Sequence, residues 1–218
     1  MSRIVAILTG DLIGSTAAPP EAVERSMRII AACAGEIGPD TDFTRYRGDG
    51  WQIRLLRPGD CLWACLLILA RLRAQDGALG CRIAIGIGEE YPTDTRNLSS
   101  AMGPAFTASG RTLDQMKPDR LLALGSLPKQ PDAFRNLAVT VASTLAARWS
   151  REQAEAMALK LDVDSPAGER ESNDRIARKL GITRQAVDAR LKAADYHLLD
   201  EMMLAFLEAY PQTEAKHD

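Results

Sequence analysis

Phe43-Thr44-Arg45-Tyr46-Arg47-Gly48-Asp49-Gly50-Trp51-Gln52-Ile53-Arg54-Leu55-Leu56 holds two strand-like arms around a Gly-Asp-Gly tip. Glycine takes positive φ without steric cost, so the tip predicts a hairpin. In the second arm Trp51, Ile53 and Leu55 alternate with Gln52 and Arg54, the two-residue period of a half-buried strand. Upstream, Ile4-Val5-Ala6-Ile7-Leu8 is a short β-branched run ending at Gly10-Asp11, which predicts a buried strand. Pro19-Pro20 stops any extended element. Val23, Met27, Ile30, Ala34 and Ile37 then recur at helical spacing up to Gly38-Pro39. Downstream, Leu62, Leu66, Leu69 and Leu72 predict a second helix. Cys81, Ile83, Ile85 and Ile87 alternate with Arg82, Ala84, Gly86 and Gly88 as a fourth strand. The order strand, helix, hairpin, helix, strand predicts an α+β, ferredoxin-like sheet. A further helix over residues 106–116 and a short strand over 121–124 follow.

The character of the chain changes after Gly125. Pro128 and Pro131 bracket a connector, and Phe134, Leu137, Val141 and Leu145 mark a linking helix. Beyond Ser150 the pattern is helical throughout, with helices over residues 152–161, 173–180, 184–194 and 198–210 and a polar loop through Pro166-Ala167-Gly168. The predicted division is residues 1–125 (α+β), 126–149 (connector with linking helix) and 150–218 (all-α).

The 218 residues are 46% apolar and 26% charged, which supports packed cores and argues against wholesale disorder. Lys plus Arg number 27 against 29 for Asp plus Glu, so bulk positive charge is excluded as a means of holding nucleic acid. The apolar run 62–70 is too short to span a bilayer, so no membrane partner is expected. The N-terminal run meets Thr9-Gly10-Asp11 before a signal-peptide core forms. Cys33, Cys61, Cys65 and Cys81 form no metal-knuckle spacing and read as buried thiols. A reducing cytoplasm is the expected location.

In a ferredoxin-like sheet the strand after the hairpin tip runs antiparallel beside the first strand. Asp11 and Asp49 then face each other, and two carboxylates repel unless a cation lies between them. Hard divalent ions favour such oxygen ligands and keep positions open for phosphate. Asp and Gly are also the favoured residues of ordinary turns, and spacing alone leaves both readings open. The motifs carry more. Thr9-Gly10-Asp11-Leu12-Ile13-Gly14-Ser15-Thr16 and Arg45-Tyr46-Arg47-Gly48-Asp49-Gly50 resemble the two metal motifs of class III nucleotide cyclases. Residues 81–89 resemble that family's fourth strand, and residues 103–111 its following helix.

The resemblance implies a nucleotide cyclase-type α+β domain with Mg²⁺ or Mn²⁺ on Asp11 and Asp49. It implies transition-state stabilisation by Arg111 and purine-nucleotide contacts from Gly10, Gly14, Ser15, Arg45, Gly48, Gly50 and Thr107. Departures accompany it. Thr107 stands where the family has an asparagine, Arg45 where it has a purine-reading lysine, and neutral Ser100 near its purine-reading aspartate. Binding is therefore favoured over efficient cyclisation. No P-loop, dinucleotide fingerprint or Ser/His/Asp arrangement occurs.

The second informative stretch, residues 172–191, reads as a helix-turn-helix. Ala177 is small where two helices cross, Gly181 permits the turn, and Ile182, Val187 and Leu191 fill the wedge. Thr183 is a good N-cap. Arg184, Gln185, Asp188 and Arg190 are expected to face outward, with Lys192 nearby, and Arg and Gln there suit base edges of duplex DNA. Residues 169–192 hold seven basic and four acidic side chains, a local +3 in a chain of net −2. The stretch resembles the helix-turn-helix of sigma-region-4-like regulators, and the whole arrangement resembles the SatD family. Leu198, Leu199, Met202, Met203, Phe206, Leu207 and Tyr210 form a broad stripe that either covers this unit or pairs with a second subunit in a homodimer. The expected function is a DNA-binding regulator whose cyclase-like domain binds a nucleotide with Mg²⁺. The alternatives are a metal-dependent nucleotidyl cyclase or related phosphoryl-transfer enzyme, and an interaction scaffold without ligands.

Overall fold

Strand β1 (Arg3–Leu12) is the middle of the sheet, and its uninterrupted apolar run reflects cover on both faces. Ala6, Leu8 and Leu12 join one core, while Val5 and Ile7 join a second on the opposite face. In this computed structural model residues 3–38, 41–46, 48–91, 98–125, 133–162 and 169–210 are described. Arg47, the connector prolines Pro128 and Pro131, and the loop residues Pro166, Ala167 and Gly168 lie outside them.

Helix α1 (Pro20–Ile37) starts with proline at its first position and buries Met27, Ile30, Ala34 and Ile37 as its spacing requires. The hairpin follows as β2 (Thr41–Arg45) and β3 (Trp51–Leu55), then helix α2 (Cys61–Ala74) and strand β4 (Cys81–Glu90). Helix α3 (Pro104–Gln115) and strand β5 (Leu122–Gly125) complete the α+β part. The sheet order is β2-β3-β1-β4-β5. β1 is antiparallel to β3 and β4, and β5 lies parallel to β4. Gly10 is opposite Trp51, so the end of β1 meets the start of β3 as the ferredoxin-like reading expects.

Helices α1 and α2 lie on one face and α3 on the other, with Ala105 and Phe106 of α3 in the second core. The approach of α3 is close enough that a Cβ on Gly86 would stand 2.6 Å from the Ser109 nitrogen.

The remaining elements are α4 (Ala133–Ala147), α5 (Arg151–Lys160), α6 (Asn173–Leu180), α7 (Arg184–Ala193) and α8 (Tyr196–Ala209). α2 is buried nearly all round, because α5 and α8 cover the side turned away from the sheet. Trp63 is fully buried and donates Nε1–H to the Leu161 carbonyl at 3.0 Å. Arg73 Nε donates to the Trp149 carbonyl at 3.1 Å, and Trp149 Nε1 donates to the Ala194 carbonyl at 3.1 Å. The turn before α2 also abuts α8, where a Cβ on Gly59 would lie 2.9 Å from Leu207 Cα. One hydrophobic cluster therefore runs from the sheet through α2 into α5, α7 and α8, across the residue numbers where the sequence changes character.

The apolar stripe of α8 is used within the chain. Leu199, Met203 and Phe206 are buried, while Leu198 and Leu204 stay exposed. All four cysteines are free and buried. Among the described residues no helix is long and apolar enough to cross a membrane.

Candidate functional site

At the C-terminal end of β1, period-two alternation turns Thr9 and Asp11 to the face opposite Leu8 and Leu12. Asp11 meets Arg82, its register partner on β4. Arg82 Nε donates to Asp11 Oδ1 at 2.9 Å, and its second N–H group donates to Oδ2 in a fork. The hydrogen bond to Asp11 is the main reason the Arg82 guanidinium is held above its usual value, and the charge of Asp49 adds to it. Both carboxylates thus lie within electrostatic reach of one cation.

Asp49 accepts a hydrogen bond from the Ser15 hydroxyl. Gly14, at φ 74, starts the short 3-10 turn Ser15–Ala17 that brings this hydroxyl into place. Gly48, at φ 75, forms the hairpin tip. Gly50 closes the tip by accepting from Tyr46 N–H at 2.8 Å.

Arg45 is committed within the chain. Its Nε donates to the Gly48 carbonyl at 3.0 Å, and its two amino groups grip Glu24 of α1 at 3.0 and 2.8 Å. This hydrogen bond lowers the Glu24 carboxyl, and it raises Arg45 with a smaller contribution from Asp49. Ser15, Glu24, Arg45, Gly48 and Asp49 line a cavity of about 380 Å³, within the usual range of small-molecule sites. Sequence reading assigned no part to Glu24 or to Arg82. The alternation of β4 does place Arg82 on the face of Asp11, and nothing local marks Glu24.

Thr107 and Arg111 stand elsewhere. Both are exposed on α3 and line a separate cavity of about 1080 Å³ with Tyr91, Met102, Arg120 and Leu124; neither Asp11 nor Asp49 reaches it. A partly buried polar chain runs across the sheet from the hairpin to α3. Tyr46 donates to Gln52 Oε1, Gln52 Nε2 donates to Thr9 Oγ1 at 3.1 Å, and Thr9 shares a 2.8 Å hydrogen bond with Ser109 of α3.

Among the described residues no cluster of three or more His, Cys, Asp or Glu is arranged to hold a metal ion. Asp11, Asp49 and the Ser15 hydroxyl are nonetheless hard oxygen donors of the kind Mg²⁺ or Mn²⁺ prefers. Arg82 donates to both oxygens of Asp11, so an ion there competes with that guanidinium for the carboxylate.

In the helical part, Ser172 caps α6 and Gly181, at φ 65, ends it. Ile182 N–H returns to the Ala177 carbonyl at 3.0 Å, and Thr183 caps α7 by accepting from Ala186 N–H at 3.2 Å. Ile176, Ala177, Val187 and Leu191 are buried where the two helices meet. Arg184, Gln185, Asp188 and Lys192 are exposed. Asp188 is drawn toward α6 by Asn173 Nδ2 at 2.6 Å, and Arg184 stands 3.4 Å from Asp174. Arg190 departs from the outward placement expected of it. Its guanidinium turns to Glu155 of α5 at 3.3 Å, because the carboxylate lies beside the last turn of α7.

No protein-family model and no curated protein matches the chain. Among solved structures it is similar to a bacterial light-regulated adenylyl cyclase, with 19% identity, a TM-score of 0.43, and coverage of 57% of this chain and 43% of the other. It is also similar to a guanylyl cyclase, with 20% identity, a TM-score of 0.42, and coverage of 57% of this chain and 75% of the other. The chain thus spans less than half the length of the light-regulated enzyme.

Proposed function

We propose that this protein is a DNA-binding regulator whose α+β part binds a purine nucleotide with Mg²⁺ or Mn²⁺. In this reading residues 1–125 hold the nucleotide, 126–149 connect, and 150–218 contact duplex DNA, as the SatD-family resemblance implies. The observation that carries the DNA half is α7. Val187 and Leu191 anchor it, while the Thr183-capped N-terminus presents Arg184 and Gln185 to solvent with Lys192 further along. Asp11, Asp49 and the Ser15 hydroxyl supply the ion's oxygen ligands, and the ion would offset phosphate charge when bound. Gly14 and Gly48 have open space beside them that leaves room for phosphates, and Arg45 with Glu24 lines the cavity; Gly10 is instead covered by Trp51 and the Arg82 carbonyl, so it offers no such approach.

Arg111 and Thr107 lie in a different cavity, so one chain does not assemble the set needed for cyclisation. A homodimer that supplied α3 from a second copy would be required for that chemistry. Binding is accordingly favoured over turnover.

Selection of duplexes from a random-sequence library, followed by affinity measurements across salt concentration, tests the reading. Arg184→Ala should cost about 1–3 kcal/mol on the selected duplex and relax the preference at one base pair. Equal affinity of parent and variant would remove α7 from the reading role.

A further inference from the structure

The end of β1, the loop after α2, the start of β5 and the corner between α4 and α5 meet around a second cavity, of about 490 Å³. Its size falls in the range of about 300–1,000 Å³ typical of small-molecule sites, and it lies where two structural units join, a preferred place for them. The wall is apolar. Leu72, Cys81 and Ala146 are buried, and Ile13 and Leu121 complete it. The rim carries Arg73, Asp76 and Arg151, two cations against one carboxylate.

Arg151 has hydrogen-bonding capacity left over. Its ion pairs are 3.6 Å to Asp76 and 3.4 Å to Glu155, longer than the roughly 2.7–2.9 Å of a charge-assisted hydrogen bond. About half of its side chain, 52%, is exposed at the rim. Arg73 is steadied there by its hydrogen bond to the Trp149 carbonyl.

An apolar strip beneath a net cationic rim fits a ligand with a short apolar body and one anionic head. We propose that this cavity binds a small amphipathic carboxylate, its head on Arg151 and its body against Leu72, Leu121 and Ala146. The site is separate from the nucleotide cavity and does not depend on it, yet it touches both halves of the chain. Ile13 directly precedes Gly14 and Ser15, whose hydroxyl holds Asp49. Arg151 is the first residue of α5, which packs on α7. A ligand that favours one arrangement of this joint biases both ends of it.

The test is titration of the full chain with octanoate and phenylacetate, and with the uncharged octanamide and phenylacetamide, followed by calorimetry and by backbone amide resonances. At least one carboxylate should shift Ile13, Leu121 and Ala147 saturably and bind about tenfold or more tightly than its amide, the strength of a charge-assisted contact. Arg151→Gln, at a half-exposed position, should erase the difference between carboxylate and amide. Ala147→Phe, at an exposed position on the lining, should weaken both. Lack of saturation by either carboxylate, shifts confined to other residues, or unchanged binding in either variant would overturn the proposal.

Discussion

Replacing Trp63 with phenylalanine probes the joint between the sheet and the C-terminal helices. Trp63 is fully buried on α2, and its indole N–H satisfies the carbonyl of Leu161, one of the terminal carbonyls of α5. Trp63→Phe leaves that carbonyl without its partner, a loss of about 1–3 kcal/mol for a buried group. The smaller ring adds about 1 kcal/mol of unfilled space. The total is about 2–4 kcal/mol, equivalent to a fall in melting temperature of about 4–16 °C for a chain of this size. Urea unfolding followed by far-ultraviolet dichroism and by tryptophan fluorescence measures it. Because one hydrophobic cluster spans α2, α5, α7 and α8, both probes should report a single transition that moves as a unit. Two separated transitions, with only one displaced by the substitution, would refute a shared core.

The thiols give an independent check. Burial pushes Cys33 up to about 11 and Cys61 up to about 12 and raises Cys65 and Cys81 as well, so a thiol-specific reagent should modify none of the four before unfolding and all four in denaturant. Asp60 sets a pH dependence. Burial, against the pull of Arg57, raises its carboxyl above the ordinary 3.8, and its Oδ1 has no hydrogen-bond partner. A carboxyl raised on folding contributes stability that is present below 3.8 and is lost as pH rises through the folded value. Asp60→Asn should flatten that decline in urea midpoints taken across this window, and parallel profiles would contradict the assignment. Arg82→Ala should cost about 1 kcal/mol, since both partners are about a quarter exposed, and should make Mg²⁺ raise the melting temperature more than it does in the parent. Equal Mg²⁺ effects in the two proteins would show that Arg82 does not compete for Asp11.

Much of the fold is legible because its signals are local. Trp51, Ile53 and Leu55 alternate as β3 does, and the Gly48 and Gly181 turns lie where positive φ is needed. Ser172 and Thr183 begin helices through hydrogen bonds to backbone N–H groups three residues on. The hardest element to place is α2. Leu62, Leu66, Leu69 and Leu72 read as one stripe, yet Trp63, Ala64, Leu67 and Ile68 are equally buried. A helix apolar all round requires cover on every side. That composition was the available sign that the C-terminal helices return to pack on it.

The sites were less legible, because ion pairs join residues far apart in the chain. Nothing near Arg45 announces Glu24, and nothing near Asp11 announces Arg82. Arg190 faces inward because of Glu155, 35 positions earlier. Likewise, the order of motifs does not reveal that Arg111 and Asp49 line different cavities, since α3 packs on β4 and β1 away from the hairpin tip.

The proposal to be tested is that a nucleotide bound at the β1 end would alter DNA contact by α7. Fluorescence anisotropy of a selected duplex, with and without ATP or GTP in the presence of Mg²⁺, tests it most directly. The expected result is a change in DNA affinity of at least about fivefold with one nucleotide, the lower range of allosteric coupling, and its loss in Asp49→Asn. Identical affinity with and without both nucleotides would contradict the claim.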